Sequence, residues 1–304
     1  MKFDLKYRLL YAFLKLHALL PFWMLYFMSD VLYLLVYKAI GYRKRVVRVN
    51  LELVFGDKSE KERRAIERKF YRHFCDLIVE TIKLLHISDK TMRKRFTVEG
   101  AELVDKLSVG GTPVVIFLGH FCNWEWTQGM SLHFSTDNKV VGQVYKPLRN
   151  TLMNRITLKI RSRFSLECIP DKRVVRRLIE TRKEGKNFII GFISDQRSTG
   201  KTQNHWTKFL GLDTPYIVGG ERVGEMSGAN YLYLDISKVK RGRYSGEFRR
   251  LEIDKNDNQE NPYTREFLKN MEATIRRQPA YWLWTHKRWV RSSDGGDTNY
   301  YAKK

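Results

Sequence analysis

The chain has 304 residues and a formal net charge of +23, with 56 Lys and Arg against 33 Asp and Glu. A hydrophobic content of 43% and an aromatic content of 13% exclude a disordered polyelectrolyte. The charge favours an anionic partner, and nucleic acid, an acidic protein and a phospholipid surface all qualify. Three widely spaced cysteines without a CxxC pair give neither a disulfide framework nor a zinc pattern and favour a reducing compartment.

The first segment, residues 9–40, is the most apolar part of the chain and is rich in aromatic residues. Its longest run without Asp, Glu, Lys or Arg is 16–29, which is shorter than the roughly 20 residues that a transmembrane helix needs. Basic residues flank the segment on both sides, as suits anionic headgroups. We predict an embedded or interfacial membrane anchor over residues 1–42, with the basic remainder on the cytoplasmic side. A pair of buried core helices is the alternative, and a signal peptide is disfavoured because no small-residue cleavage site follows.

Helical and strand-like segments alternate after the anchor. Ser59 and Glu62 have the spacing of a capping box and predict a helix over 57–85. Apolar periodicity predicts further helices over 150–163, 172–184 and 261–277. Short apolar runs predict strands over 113–118, 139–145, 188–193, 231–236 and 248–253. This alternation predicts an α/β fold with a central mixed sheet flanked by helices, formed by one catalytic domain over residues 43–304.

Two of the predicted strands run directly into polar residues. His120 follows the strand over 113–118, and Asp195 follows the strand over 188–193. Ligands of open α/β sheets bind outside the carboxyl ends of the strands, so these side chains share one crevice if the strands are neighbours. Histidine is the usual general base near neutral pH. Either Glu125 or Asp195 is suited to hold its tautomer.

No activated nucleophile accompanies His120. The sequence has no G-x-S-x-G elbow, and Cys122 at a strand–helix junction is expected to be buried packing. His120 has no HxxxH or HxxEH companion, so no metal site is predicted. Residues 195–202 mimic a P-loop, but Asp195 occupies the position that requires glycine, so nucleotide binding is not predicted. The sequence therefore favours direct transfer, in which His120 deprotonates an acceptor hydroxyl or amine.

Five short blocks occur along the chain in a fixed order. They are the H-x4-E block at 119–125, then 145–150, Ser-Asp-Gln at 194–196, 209–215, and an aromatic run ending in His-x-Arg at 279–289. In this order the blocks resemble those of the bacterial lipid A late acyltransferases (lauroyl/myristoyl type), whose motif is H-x4-(D/E). The resemblance covers most of the chain.

The resemblance implies an O-acyltransferase with a glycerolipid-acyltransferase-like fold at the cytoplasmic face of the inner membrane of Gram-negative bacteria. It implies transfer of a fatty acyl chain from acyl-carrier protein to a hydroxyl of a lipid A precursor, without a cofactor. Another glycolipid or an aminolipid is the alternative acceptor. By position His120 is the base, Glu125 its carboxylate partner and Asp195 a further catalytic residue. The substrate-binding residues are expected to be Asn123, Lys146, Arg149, Asn150, Gln196 and Arg197.

The chemistry of these residues agrees with acyl transfer. Asn123 and Arg197 are candidate donors for a developing oxyanion, each such donor being worth about 3 kcal/mol. Lys146 and Arg149 are candidate ligands of acceptor phosphates. A nucleic-acid-binding protein is the competing class, but the sequence has no RRM, zinc-finger or homeodomain pattern, and that class leaves the apolar segment unexplained. A non-catalytic membrane scaffold is a third possibility. We therefore predict an anionic membrane surface as a further partner, and no nucleic acid.

Overall fold

The computed structural model describes residues 2–197, 205–253, 259–294 and 296–302. The α-helices of these ranges are α1 Lys2–Leu19, α2 Phe22–Tyr33, α3 Lys44–Val54, α4 Glu60–Lys83, α5 Asp89–Arg95, α6 Ala101–Leu107, α7 Thr151–Arg161, α8 Val174–Lys183, α9 Gly219–Ser227 and α10 Pro262–Arg277. The strands are β1 Phe96–Glu99, β2 Val114–Leu118, β3 Lys139–Tyr145, β4 Glu167–Pro170, β5 Asn187–Ile193, β6 Trp206–Phe209, β7 Leu212–Pro215, β8 Asn230–Lys240 and β9 Arg243–Arg250.

Seven strands form one sheet in the order β1-β9-β8-β2-β5-β3-β4, and β6 and β7 form a separate hairpin. The pairing within the large sheet is parallel except between β8 and β9, which are antiparallel. The central strands β2 and β5 are almost continuously apolar and buried, as expected of parallel strands that are covered on both faces. The predicted mixed α/β sheet flanked by helices is confirmed.

The last predicted strand was misplaced along the chain. The prediction was 248–253, whereas β9 spans Arg243–Arg250. Buried and less buried residues alternate along β9, with Tyr244, Gly246 and Phe248 inward, so it lacks the apolar run on which the prediction depended. Its position is set by pairing with β8 through a tight turn at Gly242, where φ is +67°.

The long helix α4 begins as the sequence predicts. Ser59 Oγ accepts a hydrogen bond from the Glu62 backbone N–H at 3.3 Å, and the Glu62 carboxylate accepts one from the Ser59 N–H at 2.9 Å. This reciprocal capping box satisfies two of the N–H groups that a helix leaves without an intrahelical partner. α4 also carries the buried acidic residues Asp76 and Glu80, which bind the N-terminal helices.

The N-terminal helices have one face on the domain and one face exposed. On the inner face, Ser29 donates to Asp76 at 2.8 Å, and Asp30 forms a salt bridge with Arg241 at 2.7 Å. In the described chain, α2 continues as a π-helix over Leu34–Ile40. The combined helix over residues 22–40 is the one that is long and apolar enough to cross a membrane by length and composition. The outer face, here named the apolar N-terminal face, comprises Leu5, Leu9, Phe13, Leu16, Leu19, Trp23, Phe27, Val31, Leu34, Leu35 and Ile40.

Candidate active site

The site begins where the neighbouring strands β2 and β5 end. They are parallel, with Leu118 in register with Ile193, so the residues that follow emerge at the same edge of the sheet. His120 Nδ1 donates a hydrogen bond to Asp195 Oδ1 at 2.7 Å. The His120 side chain is 21% exposed and the Asp195 side chain is 0% exposed. The histidine is therefore open to a substrate while its carboxylate partner is shielded from water.

Gly119 allows the chain to turn closely against α10. A Cβ at this position would lie 2.4 Å from Met271 Cε and 3.5 Å from Asp195 Cγ. Any larger residue would therefore displace Met271 and crowd the carboxylate. The turn is tight, since the Phe121 N–H donates to the Gly119 carbonyl at 2.8 Å. Glycine thus places His120 directly beside Asp195.

Asp195 is held on both of its oxygens. Oδ2 accepts a hydrogen bond from the Trp282 indole N–H at 2.7 Å. Burial alone raises the pKa of the Asp195 carboxyl, but the charge and hydrogen bond of His120 and the bond from Trp282 outweigh it, so the pKa lies below its ordinary value. Asp195 is therefore ionised at neutral pH and accepts from the His120 Nδ1–H, so Nε2 is the ring nitrogen that does not bond the carboxylate.

The C-terminal segment 279–289 forms the wall behind this pair. The Leu283 N–H donates to the His120 carbonyl at 3.1 Å, and the Cys122 N–H donates to the Tyr281 carbonyl at 2.9 Å. Asn50 on α3 fastens the same segment by donating to the Trp284 carbonyl at 2.8 Å. The segment therefore fixes the backbone around His120 as well as supplying Trp282.

Glu125, the partner of His120 implied by the family resemblance, binds a different residue. Its carboxylate accepts two hydrogen bonds from Arg161 on α7, at 2.9 and 2.5 Å. Burial lowers the pKa of the Arg161 guanidinium, but the contacts with Glu125 reverse this and raise it. The expected His120–Glu125 pairing is therefore corrected to His120–Asp195, because β5 brings Asp195 to His120 and α7 brings Arg161 to Glu125.

Asn123 and Cys122 are built into the protein interior. Asn123 is fully buried, donates to Glu80 at 2.6 Å and accepts from the Trp126 N–H at 3.1 Å. Both of its amide atoms are thus engaged with the protein, and its contact with substrate stays a prediction. Burial raises the pKa of the buried Cys122 thiol well above its ordinary value, which disfavours a thiolate nucleophile.

The remaining expected substrate residues lie on two loops. Lys146, Arg149 and Asn150 are exposed on the loop between β3 and α7, where Asn150 caps α7 by accepting from the Met153 N–H at 3.0 Å. Gln196 and Arg197 are half-buried and directly follow Asp195. Residues 198–204, which contain most of the P-loop-like stretch, lie outside the described residues.

Two residues of the site were not assigned roles from the sequence: Trp282 and Arg161. Each acts on a residue far away in sequence, so local spacing does not identify it. The sequence feature that indicates such a role is the density of tryptophan in 279–289, because a buried indole N–H needs a hydrogen-bond acceptor.

A shielded carboxylate paired with a partly exposed histidine at the edge of an α/β sheet is an arrangement used by general acid–base enzymes. Comparison with known proteins gives the class. The family described as "Bacterial lipid A biosynthesis acyltransferase" matches residues 5–291. The chain belongs to this family and is an O-acyltransferase.

Two relatives carry the same family function in their names. The lipid A biosynthesis palmitoleoyltransferase of Escherichia coli (strain K12) is 26% identical over 267 residues, which cover 85% of this chain and 82% of that protein. A lipid A biosynthesis acyltransferase of Shigella flexneri matches with the same identity and coverage. Among solved structures, a 1-acyl-sn-glycerophosphate acyltransferase from Thermotoga maritima covers 83% of this chain and 94% of its own, at 13% identity and a TM-score of 0.34.

Proposed function

We propose that this protein transfers a fatty acyl chain from an acyl-carrier protein thioester to a hydroxyl of a lipid A precursor, with His120 as general base. The observation that carries the proposal is the 2.7 Å hydrogen bond between His120 and the buried Asp195. The family membership and the names of both relatives support lipid A as the acceptor.

The transfer is direct, without an acyl-enzyme. His120 Nε2 takes the proton of the acceptor hydroxyl as its oxygen attacks the thioester carbonyl. The tetrahedral intermediate then expels the thiolate of the carrier, which receives the proton from the imidazolium. Asp195 stabilises that imidazolium and fixes its tautomer. General-base action of this kind contributes about 10²–10⁴-fold to the rate.

Glu125 has a positioning role in this proposal. Through Arg161 it joins the loop that carries His120 to α7. The exposed Lys146 and Arg149 precede α7, so the same salt bridge links the base to a basic surface. We assign these two cations to the phosphates of the acceptor or to the acidic carrier protein.

The proposed location is the cytoplasmic face of the inner membrane. The apolar N-terminal face is exposed, whereas the opposite face of α2 binds the domain through Ser29, Asp30 and Tyr26. If α2 crossed the bilayer, the polar groups of the domain that contact it would have to enter the hydrocarbon core. Burial of polar groups there is unfavourable. We therefore assign the anchor to one leaflet, with anionic headgroups around its basic flanks.

The test is transfer by the purified full-length chain. It is incubated with acyl-carrier protein or acyl-CoA as donor, and with a lipid A precursor or another glycolipid as acceptor, and the products are identified by mass spectrometry. The proposal predicts one added ester-linked acyl chain on the lipid A precursor, with the carrier-protein donor preferred. Transfer to the other glycolipid alone would refute the assigned acceptor, and preference for acyl-CoA would refute the donor.

A further inference from the structure

Behind Asp195 lies a group of basic side chains, Arg288 buried and Arg197 and His286 half-buried, whose hydrogen-bonding atoms are not all used. Arg288 is 1% exposed and donates through one terminal nitrogen to the Pro215 carbonyl at 2.7 Å. Its Nε and Nη1 atoms are buried without a hydrogen-bond partner among the described residues. The same holds for Arg197 Nε and His286 Nε2. Donors of this kind are rarely left unsatisfied in a folded protein.

The electrostatics of this group are unbalanced. Burial lowers the pKa of Arg288 to about 10, while the charge of Asp195 opposes that shift and the charge of Arg197 adds to it. Arg288 therefore remains charged at neutral pH. Burial and the neighbouring Arg288 lower the pKa of His286 to about 4, so this ring is neutral. The charges of Asp195 and Arg197 thus both act on Arg288. The Asp195 carboxylate is already bonded by His120 and Trp282.

A buried cation without an ion-pair partner is strongly unfavourable, and an apolar side chain of similar size would fit such a place at lower cost. The charge is balanced if an anion enters the site. We propose that Arg288 and Arg197, with His286 Nε2 as an additional hydrogen-bonding group, form an anion site that receives a phosphate group of a substrate. Guanidinium groups suit phosphate because their planar donors form paired, charge-assisted hydrogen bonds with its oxygens.

The position of this site links it to the reaction, and the inference to that extent rests on the proposed function. Arg197 lies two residues after Asp195, and Arg288 lies on the same C-terminal segment as Trp282. A phosphate bound here therefore sits against the segment that carries Asp195 and against the segment whose Trp282 bonds the Asp195 carboxylate. Two substrates of the proposed reaction carry such a group: the acceptor lipid, and the phosphodiester arm of the carrier that holds the thioester.

Binding is tested without turnover, using inorganic phosphate as the probe. The thermal midpoint of the full-length protein is compared in phosphate and in chloride at equal ionic strength, since a ligand that binds the native state raises it. We expect phosphate to raise the midpoint of the wild type, and the rise to be lost in Arg288→Met and reduced in Arg197→Gln. The exposed Arg276, paired with Glu272, provides the control Arg276→Gln, which should keep the full rise.

Steady-state kinetics then identify the source of the phosphate. If it belongs to the acceptor, Arg288→Met raises KM for the acceptor at least tenfold, and removing the acceptor phosphate produces no further loss in this variant. If it belongs to the donor, KM for the acyl-carrier protein rises instead. An equal midpoint in phosphate and chloride, or an unchanged KM for both substrates in Arg288→Met, would overturn the proposal. The rise of the thermal midpoint in phosphate does not require His120. Its absence would therefore refute the anion site without bearing on the proposed role of His120 as general base.

Discussion

Asp195 lies between two donors, His120 on one oxygen and Trp282 on the other. A carboxylate held at both oxygens in a dry environment has one orientation, and it imposes that orientation on the imidazole. In the proposed mechanism, this preorganisation means that little rearrangement is needed when the imidazolium forms. The residues that matter at this scale therefore include the tryptophan as well as the histidine and the aspartate.

The pairing of His120 with Asp195 is tested by replacing the Asp195 carboxylate with an amide of the same shape. We expect Asp195→Asn to lower kcat at least a hundredfold, because the amide can hold the wrong imidazole tautomer and does not stabilise its charged form. The measurement is kcat for acyl transfer at neutral pH. Glu125→Gln is the matched control, because it leaves the hydrogen bond between His120 and Asp195 in place, and it should lower kcat less than Asp195→Asn does. An equal fall of kcat in both variants would contradict the observed pairing.

The hydrogen bond from the Trp282 indole N–H to Asp195 Oδ2 is tested by the stability of the fold in acid. The folded pKa of Asp195 lies below its ordinary value of 3.8, so its contribution to stability is present above that pH and is lost as the pH falls through the folded pKa. Trp282→Phe removes one bond that lowers this pKa. We expect acid unfolding of this variant, followed by circular dichroism, to begin at a higher pH than in the wild type.

Trp289 provides the control for that experiment. Its indole N–H also makes a buried hydrogen bond, at 2.8 Å to Thr214 Oγ1, a neutral acceptor. Trp289→Phe should lower stability at every pH without moving the acid transition to the extent that Trp282→Phe does. Equal displacement of the transition in both variants would mean that Trp282 acts through packing alone.

The sequence predicted part of this site for a clear physical reason. His120 and Asp195 end two apolar strands, so the pattern predicted a shared crevice on condition that the strands are neighbours. The parallel pairing of β2 with β5 meets that condition. The choice between Asp195 and Glu125 did not follow, because it depends on Arg161, which α7 brings to Glu125 from 36 positions along the chain. The roles of Trp282 and Arg288 likewise depend on where the C-terminal segment packs.

Among the elements, α4 connects the N-terminal helices to the sheet and to the site. The Glu80 carboxylate on this helix accepts hydrogen bonds from Tyr26 on α2, Asn123 after β2 and Tyr244 on β9, at 3.0, 2.6 and 2.8 Å. A network in which each donor is satisfied makes these elements a single unit. The N-terminal helices and the rest of the chain therefore pack together. The predicted division at residue 42 stays a prediction about which residues contact the membrane.

Glu80 also predicts a pH dependence of stability. Burial raises the pKa of its carboxyl from 4.5 to about 7, although Lys238 opposes the shift. Because the folded pKa is higher than the unfolded one, stability from this group is full below about pH 4.5 and is lost as the pH rises through 7. Glu80→Gln keeps the shape and removes the ionisation. We expect its unfolding free energy in urea to fall less between pH 5 and pH 8 than that of the wild type, and an equal fall would contradict this.

The elements themselves were largely predictable where apolar periodicity is strong. The strands β2 and β3 and the capped start of α4 agree with the sequence prediction, because local residues determine them. β9 and the hairpin of β6 and β7 depend on pairing with partners. In that hairpin the turn needs positive φ at Leu210 and Gly211, 55° and 84°, and an isolated leucine gives no such signal.

At the scale of the whole molecule, the proposed membrane location depends on both the charge of +23 and the apolar N-terminal face. Vesicle binding should combine burial of the exposed aromatic side chains with attraction to anionic lipids. We expect the double variant Trp23→Ser and Phe27→Ser to remain folded and to be released from anionic vesicles in a flotation assay. Met226→Ser, which changes an exposed apolar residue on α9, should stay bound, and its release to the same extent would contradict the assigned face.

The acyl-transfer rate of His120→Ala, measured on protein whose thermal unfolding matches the wild type, tests the central claim most directly. The substrates are an acyl-carrier protein thioester and a lipid A precursor, and the readout is the mass of the acylated lipid over time. The account predicts a fall of at least about a hundredfold, the contribution expected of a general base. Transfer at the wild-type rate by this variant would contradict it.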